Sequence, residues 1–315
     1  MLNRRHLRIK VLQALYAYYQ SNEESFRRTE NEMLQAIERI YDLYIYLTLT
    51  FGELTAIAAH RVEENKKKIR PSEDEMNPNM KFIDNELIKM LVESRELRQI
   101  SEEIKVNWVG DDHQEMFKKM LLHIRESETY FEYMNSDAKG FEADKQFAIN
   151  LFKIEIANYP LLNDFFEEKS IQWMDDIDLA CSMVVKTIKG FDEEGSHVIL
   201  SLYKDKEDEL EFVRELLRKT ISLEKENVAL IDDLTKNWDI DRIAKMDVVL
   251  MKMAITEFQI FNSIPTKVTL NEYIEISKFY STPKSHTFIN GVLDKAIDSL
   301  TKDKKILKVG RGLIN

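Results

Sequence analysis

The sequence predicts an all-α protein, and three observations carry that reading. Apolar residues recur at helical spacing over almost the whole chain, no run alternates with period two among β-branched residues, and only 8 Gly and 5 Pro occur in 315 residues. Glycine and proline supply most tight turns and average about 7% and about 5% of residues, so a chain this poor in both is built from few, long elements. Its 44% hydrophobic and 32% charged residues are typical of a folded globular chain. Breaks are expected at residues 71–79 (PSEDEMNPN), 109–112, 135–140, 158–160, 190–196 and 264–265, dividing about ten helices.

The first helix is expected from Arg4 to Gln20, with a core stripe at Leu7, Val11, Ala14 and Tyr18. Leu12, Tyr16 and Tyr19 fall on another side. The helix is therefore apolar over more of its circumference than a surface helix needs, and Tyr16 is a candidate for cover by something outside its own bundle. Further on, Lys66, Lys67, Lys68 and Arg70 form a basic run behind Glu63 and Glu64, which reads as a solvated helix end or a secondary phosphate patch. Asp175, Asp176 and Asp178 read as a solvated face and are assigned no catalysis.

Near the C-terminus, Asp239 is placed to N-cap a helix reaching about Phe261, with the stripe Ile243, Asp247, Leu250, Ala254, Phe258 and Phe261. Asp247 is a carboxylate where the period demands an apolar side chain. It reads either as a structural acid, paired with a nearby Arg or Lys or rotated to the bundle's edge, or as a contact for another protein. The next helix, 267–280, shows Leu270, Tyr273, Ile274 and Ser277 on one face. After the loop Ser281-Thr282-Pro283-Lys284, Ser285 is expected to cap a terminal helix that packs broadly through Phe288, Val292, Ala296, Ile289, Leu293 and Ile297, with Gly291 permitting close backbone approach.

Several classes of chemistry find no support in the sequence. The six histidines are scattered and none pairs with another at metal-ligand spacing; His113, beside Asp111 and Asp112, reads as part of a polar loop ahead of a helix. No phosphate-cradling glycine loop, GxSxG or CxxC occurs. The single cysteine, Cys181, allows no intrachain disulfide and fits a reducing, cytoplasmic setting. No run approaches the roughly 18 apolar residues of a membrane span, and the N-terminus lacks a signal-type apolar stretch. The net charge is −11, yet it is unevenly distributed: Arg4, Arg5, Arg8 and Lys10 open the chain with no acid among its first ten residues. After Leu300, Lys302, Lys304, Lys305, Lys308 and Arg311 face only Asp303. Basic ends on an acidic chain keep a nucleic-acid partner in view.

Two stretches together resemble the NusB transcription-antitermination family. RRHLRIKVLQALYAYYQS, with Gln13-Ala14-Leu15-Tyr16, is similar to the family's arginine-rich opening followed by QALY. A longer stretch from about Glu209 to Leu300 contains NWDIDRIAKMDVVLMKMAITEF, IPTKVTLNEYIEISKF and SHTFINGVLDKAI. The resemblance implies NusB-like helical bundles that bind single-stranded boxA-like RNA of ribosomal RNA leaders. It further implies action with NusE, a small-subunit ribosomal protein, in an antitermination complex on RNA polymerase. By position in the matching motifs, Arg4, Arg5, Arg8, Lys284, Ser285 and Phe288 correspond to RNA-contacting residues, and Tyr16 and Asp247 to positions that face NusE. Phe288 reads equally well as a core residue.

The chain departs from the family pattern in two respects. His6 stands where the family often has arginine, and residues 24–205 have no counterpart in a typical member. The expected organisation is the first helix of the NusB-like domain at 1–23, a helical insertion at 24–205, the rest of the domain at 206–301 and a basic tail at 302–315. The insertion is read either as new material or as a diverged repeat, since Phe147, Leu151, Ile156 and Trp173 recur 65 residues later as Phe212, Leu216, Ile221 and Trp238. NusB-like domains also precede the catalytic domain of a class of ribosomal RNA methyltransferases. With no such domain after Asn315, the expectation is a non-catalytic protein with no cofactor; a helical protein-binding scaffold is the alternative. A homodimer is compatible with the sequence.

Overall fold

A computed structural model describes residues 1–21, 25–195, 197–236 and 243–310, and every described element is helical. In chain order these are α1 (Arg4–Gln20), α2 (Phe26–Lys66), α3 (Glu73–Met76), α4 (Glu86–Glu93), α5 (Arg95–Ile104), α6 (Asp111–Glu126), α7 (Glu128–Asn135) and α8 (Phe141–Asn150). A π-helical turn, Leu151–Ile156, continues α8. Next come α9 (Pro160–Lys169), a 3₁₀ turn (Ile171–Asp175), α10 (Ile177–Gly190), α11 (Lys206–Ser222), α12 (Glu224–Leu234), α13 (Lys245–Ile260), α14 (Thr266–Tyr280) and α15 (Ser285–Lys302).

There are more helices than the sequence suggested, because side-chain caps end several of them without glycine or proline. Ser94 closes α4, and its hydroxyl accepts from the Leu97 N–H to open α5. Ser127 does the same between α6 and α7, accepting from Tyr130 N–H. Within the expected break at 71–79, a reciprocal Ser72–Glu75 capping box holds the single turn of α3.

The chain packs as two units, one formed by residues 38–202 with Met1 and the other by residues 2–37 and 203–315. Helix α2 is shared: its residues through Ile37 belong with the C-terminal helices and those from Glu38 with the middle of the chain.

In the unit of residues 38–202, the core helix is the stretch of α2 carrying the fully buried Leu43, Tyr44, Ile45 and Leu47. Burial on all sides explains its lack of a polar face. Around Tyr46 lie Trp108, Phe165, Phe166 and Trp173, with ring centroids 4.8, 5.8, 6.4 and 6.0 Å from it. Both tryptophans pay their polar debt to α2, Trp108 Nε1 donating to the Tyr46 carbonyl and Trp173 Nε1 to that of Arg39, each at 3.0 Å. Of the residues behind the expected repeat, Trp238 lies outside the described residues. Leu151 and Ile156 sit in the π-helical turn, whereas Leu216 and Ile221 lie on the regular helix α11.

Asp42, half-buried on α2 in this unit, gives a pH prediction. Burial is the largest influence on its carboxyl and lifts the pKa from 3.8 to about 6, against the opposing pull of Arg39. The folded state then binds a proton more tightly than the unfolded chain. Its penalty for an ionised Asp42 is absent below pH 3.8, grows as the pH rises towards 6, and is complete above it. Asp42→Asn is expected to stabilise the protein by about 1–2 kcal/mol at pH 7.5, after allowance for solvent screening, with no gain near pH 4. Thermal melts at the two pH values check the sign.

The C-terminal unit is organised on α13, which is buried continuously from Val249 to Phe258. The helix begins at Lys245, and the expected cap at Asp239 lies outside the described residues. α1 spans Arg4–Gln20 as expected and runs antiparallel to α13. Lys245 Nζ near the start of α13 donates to Gln20 Oε1 at the end of α1, and Arg8 near the start of α1 meets Glu257 near the end of α13. α14 buries Tyr273 and Ser277 of the expected face, joined by Thr269 and Ile276, while Leu270 and Ile274 are half-buried. In α15 the buried set is Ser285, Ile289, Val292, Leu293, Ala296 and Leu300. Gly291 is exposed with open space where a Cβ would stand, so the close approach expected there is not made.

Candidate nucleic-acid interface

The basic opening of the chain is held at the start of α1, where Asn3 caps the helix by accepting from His6 N–H. Arg4 Nη2 donates to Asp208 Oδ2 at 2.5 Å, and its guanidinium lies 4.1 Å from the centre of the Phe212 ring. Arg5 makes a two-pronged contact with Glu272, Nε and Nη2 each 2.9 Å from a carboxylate oxygen. The Glu272 carboxyl is held below its usual range, chiefly by Arg5. Both arginines remain partly open to solvent, with further N–H groups than these contacts use.

Arg8 does not take the RNA-facing position expected of it. It is 2% exposed, and its Nε and Nη2 donate to Glu257, itself wholly buried, at 2.8 and 2.5 Å. Thr269 Oγ1 and Tyr273 OH donate to the same carboxylate at 2.8 and 2.9 Å. Burial alone would lower the Arg8 pKa, but the Glu257 charge overrides it and raises the pKa. The period-based stripe missed this because a guanidinium with a complete hydrogen-bonded partner can occupy a core position. The legible clue was Glu257, a carboxylate inside the apolar run MAITEF.

The second segment sits at the other end of α13. Asp247 is 4% exposed in the first turn of that helix. The hydroxyls of Ser281 and Ser285 donate to its two carboxylate oxygens, the Ser285 bond measuring 2.7 Å, and Thr282 Oγ1 is 2.8 Å from Ser285 Oγ. The carboxylate therefore staples the start of α13 to the loop between α14 and α15. Two expectations change here. Asp247 presents no free carboxylate to a partner protein, and Ser285, 3% exposed, neither caps α15 nor faces a ligand. Lys284 is exposed and makes no ion pair among the described residues, Phe288 is half-buried, and Tyr16 on α1 is 36% exposed.

The expected residues thus form two groups. Arg4 and Arg5 lie with the C-terminal end of α13, and Lys284 and Phe288 with its N-terminal end. Ten residues separate Glu257 from Asp247, which is roughly 15 Å of helix. The sequence reading also missed Phe279, which is 81% exposed in the last turn of α14 ahead of the Lys284 loop. The aromatic pair Phe279-Tyr280 was visible, but no periodicity argument tells which of two neighbouring rings points outward. Of the secondary basic run, Lys66, Lys67 and Lys68 are each paired with a glutamate, Lys68 through Glu75 on α3.

The basic tail is partly docked. Lys308 Nζ donates to the Phe261 carbonyl and Val309 N–H to that of Asn262, both at 3.0 Å, and burial lowers the Lys308 pKa. Among the described residues no group of three or more His, Cys, Asp or Glu side chains could hold a metal ion, and no helix is long and apolar enough to cross a membrane.

Residues 178–298 match the model of the NusB family. Transcription antitermination protein NusB of Salinibacter ruber is 39% identical over 123 residues, which is 39% of this chain and 77% of the relative. The protein of that name in Natranaerobius thermophilus is 34% identical over 113 residues, 35% of this chain and 81% of the relative. A third, from Chloroherpeton thalassium, is 43% identical over 79 residues, 25% of this chain and 37% of the relative. No solved structure matches. With two of these relatives matched over more than three quarters of their own length, and the matching region built as helices on the central α13, the chain belongs to the NusB family.

Proposed function

We propose that the protein is a non-catalytic, cytoplasmic transcription antitermination factor that binds single-stranded boxA-like RNA. In this reading NusE is its protein partner, within an antitermination complex on RNA polymerase. The observation that carries the reading is the kinship with proteins named for antitermination, in the helices that also hold the basic chain start and the Lys284 loop. RNA contacts fall to Arg4, Arg5, Lys284 and Phe288, with Arg8 and Ser285 positioning the helices behind them. Flexible cations suit phosphates, and the open part of the half-buried Phe288 ring suits an unpaired base. Tyr16 faces NusE, and Asp247 shapes the neighbouring loop instead of touching the partner.

The test is equilibrium binding of boxA RNA in the presence of purified NusE across a salt series. Lys284→Ala is expected to weaken binding roughly three- to tenfold and to reduce the slope of log affinity against log salt by about 0.7, one phosphate contact on a single strand. Unchanged affinity for both Lys284→Ala and Arg4→Ala would remove these assignments. A second reading, a helical scaffold with RNA binding lost, is favoured by the neutralisation of Arg4, Arg5 and Arg8 by Asp208, Glu272 and Glu257. Wild-type protein that captures NusE yet ignores boxA RNA would select it.

A further inference from the structure

The unit of residues 38–202 lies mostly outside the family match, and one of its clefts has the chemistry of a phosphate site. A cavity of about 480 Å³ is lined by α2 with Arg61 and Asn65, by α3 with Asp74 and Glu75, by α6 with Arg125 and by α7 with Tyr130 and Phe131. That size is within the range of small-ligand sites.

The two arginines differ from those at the chain start. Arg4, Arg5, Arg8, Arg214 and Arg218 each have a carboxylate within ion-pair distance, whereas Arg61 and Arg125 have none among the described residues. The carboxylates near them do not fill the role. Glu75 is taken by Lys68 and by the Ser72 N–H, and Asp74 makes no ion pair with either guanidinium. Arg125 is near enough for its charge to oppose that of Arg61, whose pKa is lowered first by burial and then by this neighbour. Like charges placed together with no ion pair to the acids beside them call for an anion from outside. Guanidinium pairs match phosphate oxygens in two-pronged geometry, which lysines do not.

Phe131 supplies a second element. Its ring is 66% exposed on the cleft wall beside Tyr130, which is anchored edge-on against Phe82 with centroids 5.6 Å apart. An accessible ring next to paired cations and side-chain amides can stack a base while its phosphate is gripped.

We propose that this cleft binds a nucleoside phosphate, Arg61 and Arg125 holding the phosphate and Phe131 stacking on the base. The unit can meet that chemistry in an RNA strand or in a free nucleotide. The first source rests on the RNA-binding function proposed above, and the second does not.

The experiment compares full-length wild type with Arg61→Ala/Arg125→Ala and Phe131→Ala in two titrations, one with a labelled single-stranded RNA carrying boxA and flanking nucleotides, the other with adenosine 5′-monophosphate. If the strand occupies the cleft, the double variant binds RNA about tenfold more weakly, with the salt slope reduced by about 1.4, and Phe131→Ala loses several-fold. If a free nucleotide occupies it, the monophosphate binds the wild type and not the double variant, while RNA binding is unchanged. Melting temperatures separate binding from folding: removing two like charges that lack partners leaves the melting temperature unchanged or raises it. Loss of RNA binding in Lys284→Ala alone, with no response to either ligand in the Arg61/Arg125 variant, overturns this inference and leaves the proposed function standing. Wild type that binds no RNA removes the proposed function, and the monophosphate titration then decides the cleft by itself. Wild type that binds neither ligand overturns the site.

Discussion

Glu257→Ala is expected to lower the stability of the protein by about 3–5 kcal/mol, a fall in melting temperature of roughly 10 °C. Deleting this carboxylate leaves the Arg8 guanidinium, 2% exposed, with a charge answered among the described residues by the more distant Glu272, 3.8 Å from its Nη1. Thr269 and Tyr273 lose their acceptor at the same time. Removing one partner of a buried pair costs far more than the pair contributes, because the remaining charge keeps its desolvation penalty. The double replacement Arg8→Met/Glu257→Leu should therefore recover most of the loss, since it removes both charges and keeps apolar volume. Chemical denaturation of Arg8→Met, Glu257→Leu and the double variant gives the coupling between them. A Glu257→Ala loss under about 1 kcal/mol would mean that water reaches the pair and that Arg8 is available to RNA after all.

Asp247 is expected to rank second. Asp247→Ala removes the acceptor of two hydroxyl hydrogen bonds at a nearly closed site, and hydrogen bonds to a charged group contribute about 1.5–3 kcal/mol each. The two losses are not independent, so a total of about 3 kcal/mol is expected. Asp247→Asn keeps one carbonyl acceptor and should cost about 1 kcal/mol. The measurement also decides between roles. A residue serving only as a partner contact would leave the melting temperature of the isolated protein untouched when changed to Asn and weaken NusE capture. A staple lowers the melting temperature first. Its effect on RNA would then follow from the loop it holds, since Lys284 lies between the residues the carboxylate ties down.

The position of Asp247 was legible in the sequence as an exception to the helical period, and its role was not. Periodicity says which side of a helix a residue occupies. It does not say whether a neighbouring loop brings hydroxyls to that side, and here Ser281 and Ser285 arrive from 34 and 38 residues away. Arg8 shows the converse error. Cations at a chain start were read as one basic patch, yet α1 turns Arg8 inward onto α13 and leaves Arg4 and Arg5 at the edge.

By itself, the sequence determined the helical class, the limits of α1 and the kinship of the C-terminal helices. These depend on local spacing, cap chemistry and a motif, all of which are written within a few tens of residues. Tertiary structure decided what the charged side chains do. It seated Glu257 under Arg8 and placed Arg4 and Lys284 towards opposite ends of α13, whose Glu257 and Asp247 are roughly 15 Å apart along the helix. It also left Arg61 and Arg125 on one cleft wall with no ion pair to either among the described residues. The worth of a charge depends on its distance from other charges and from water, and those distances join residues as far apart in the chain as 8 and 257.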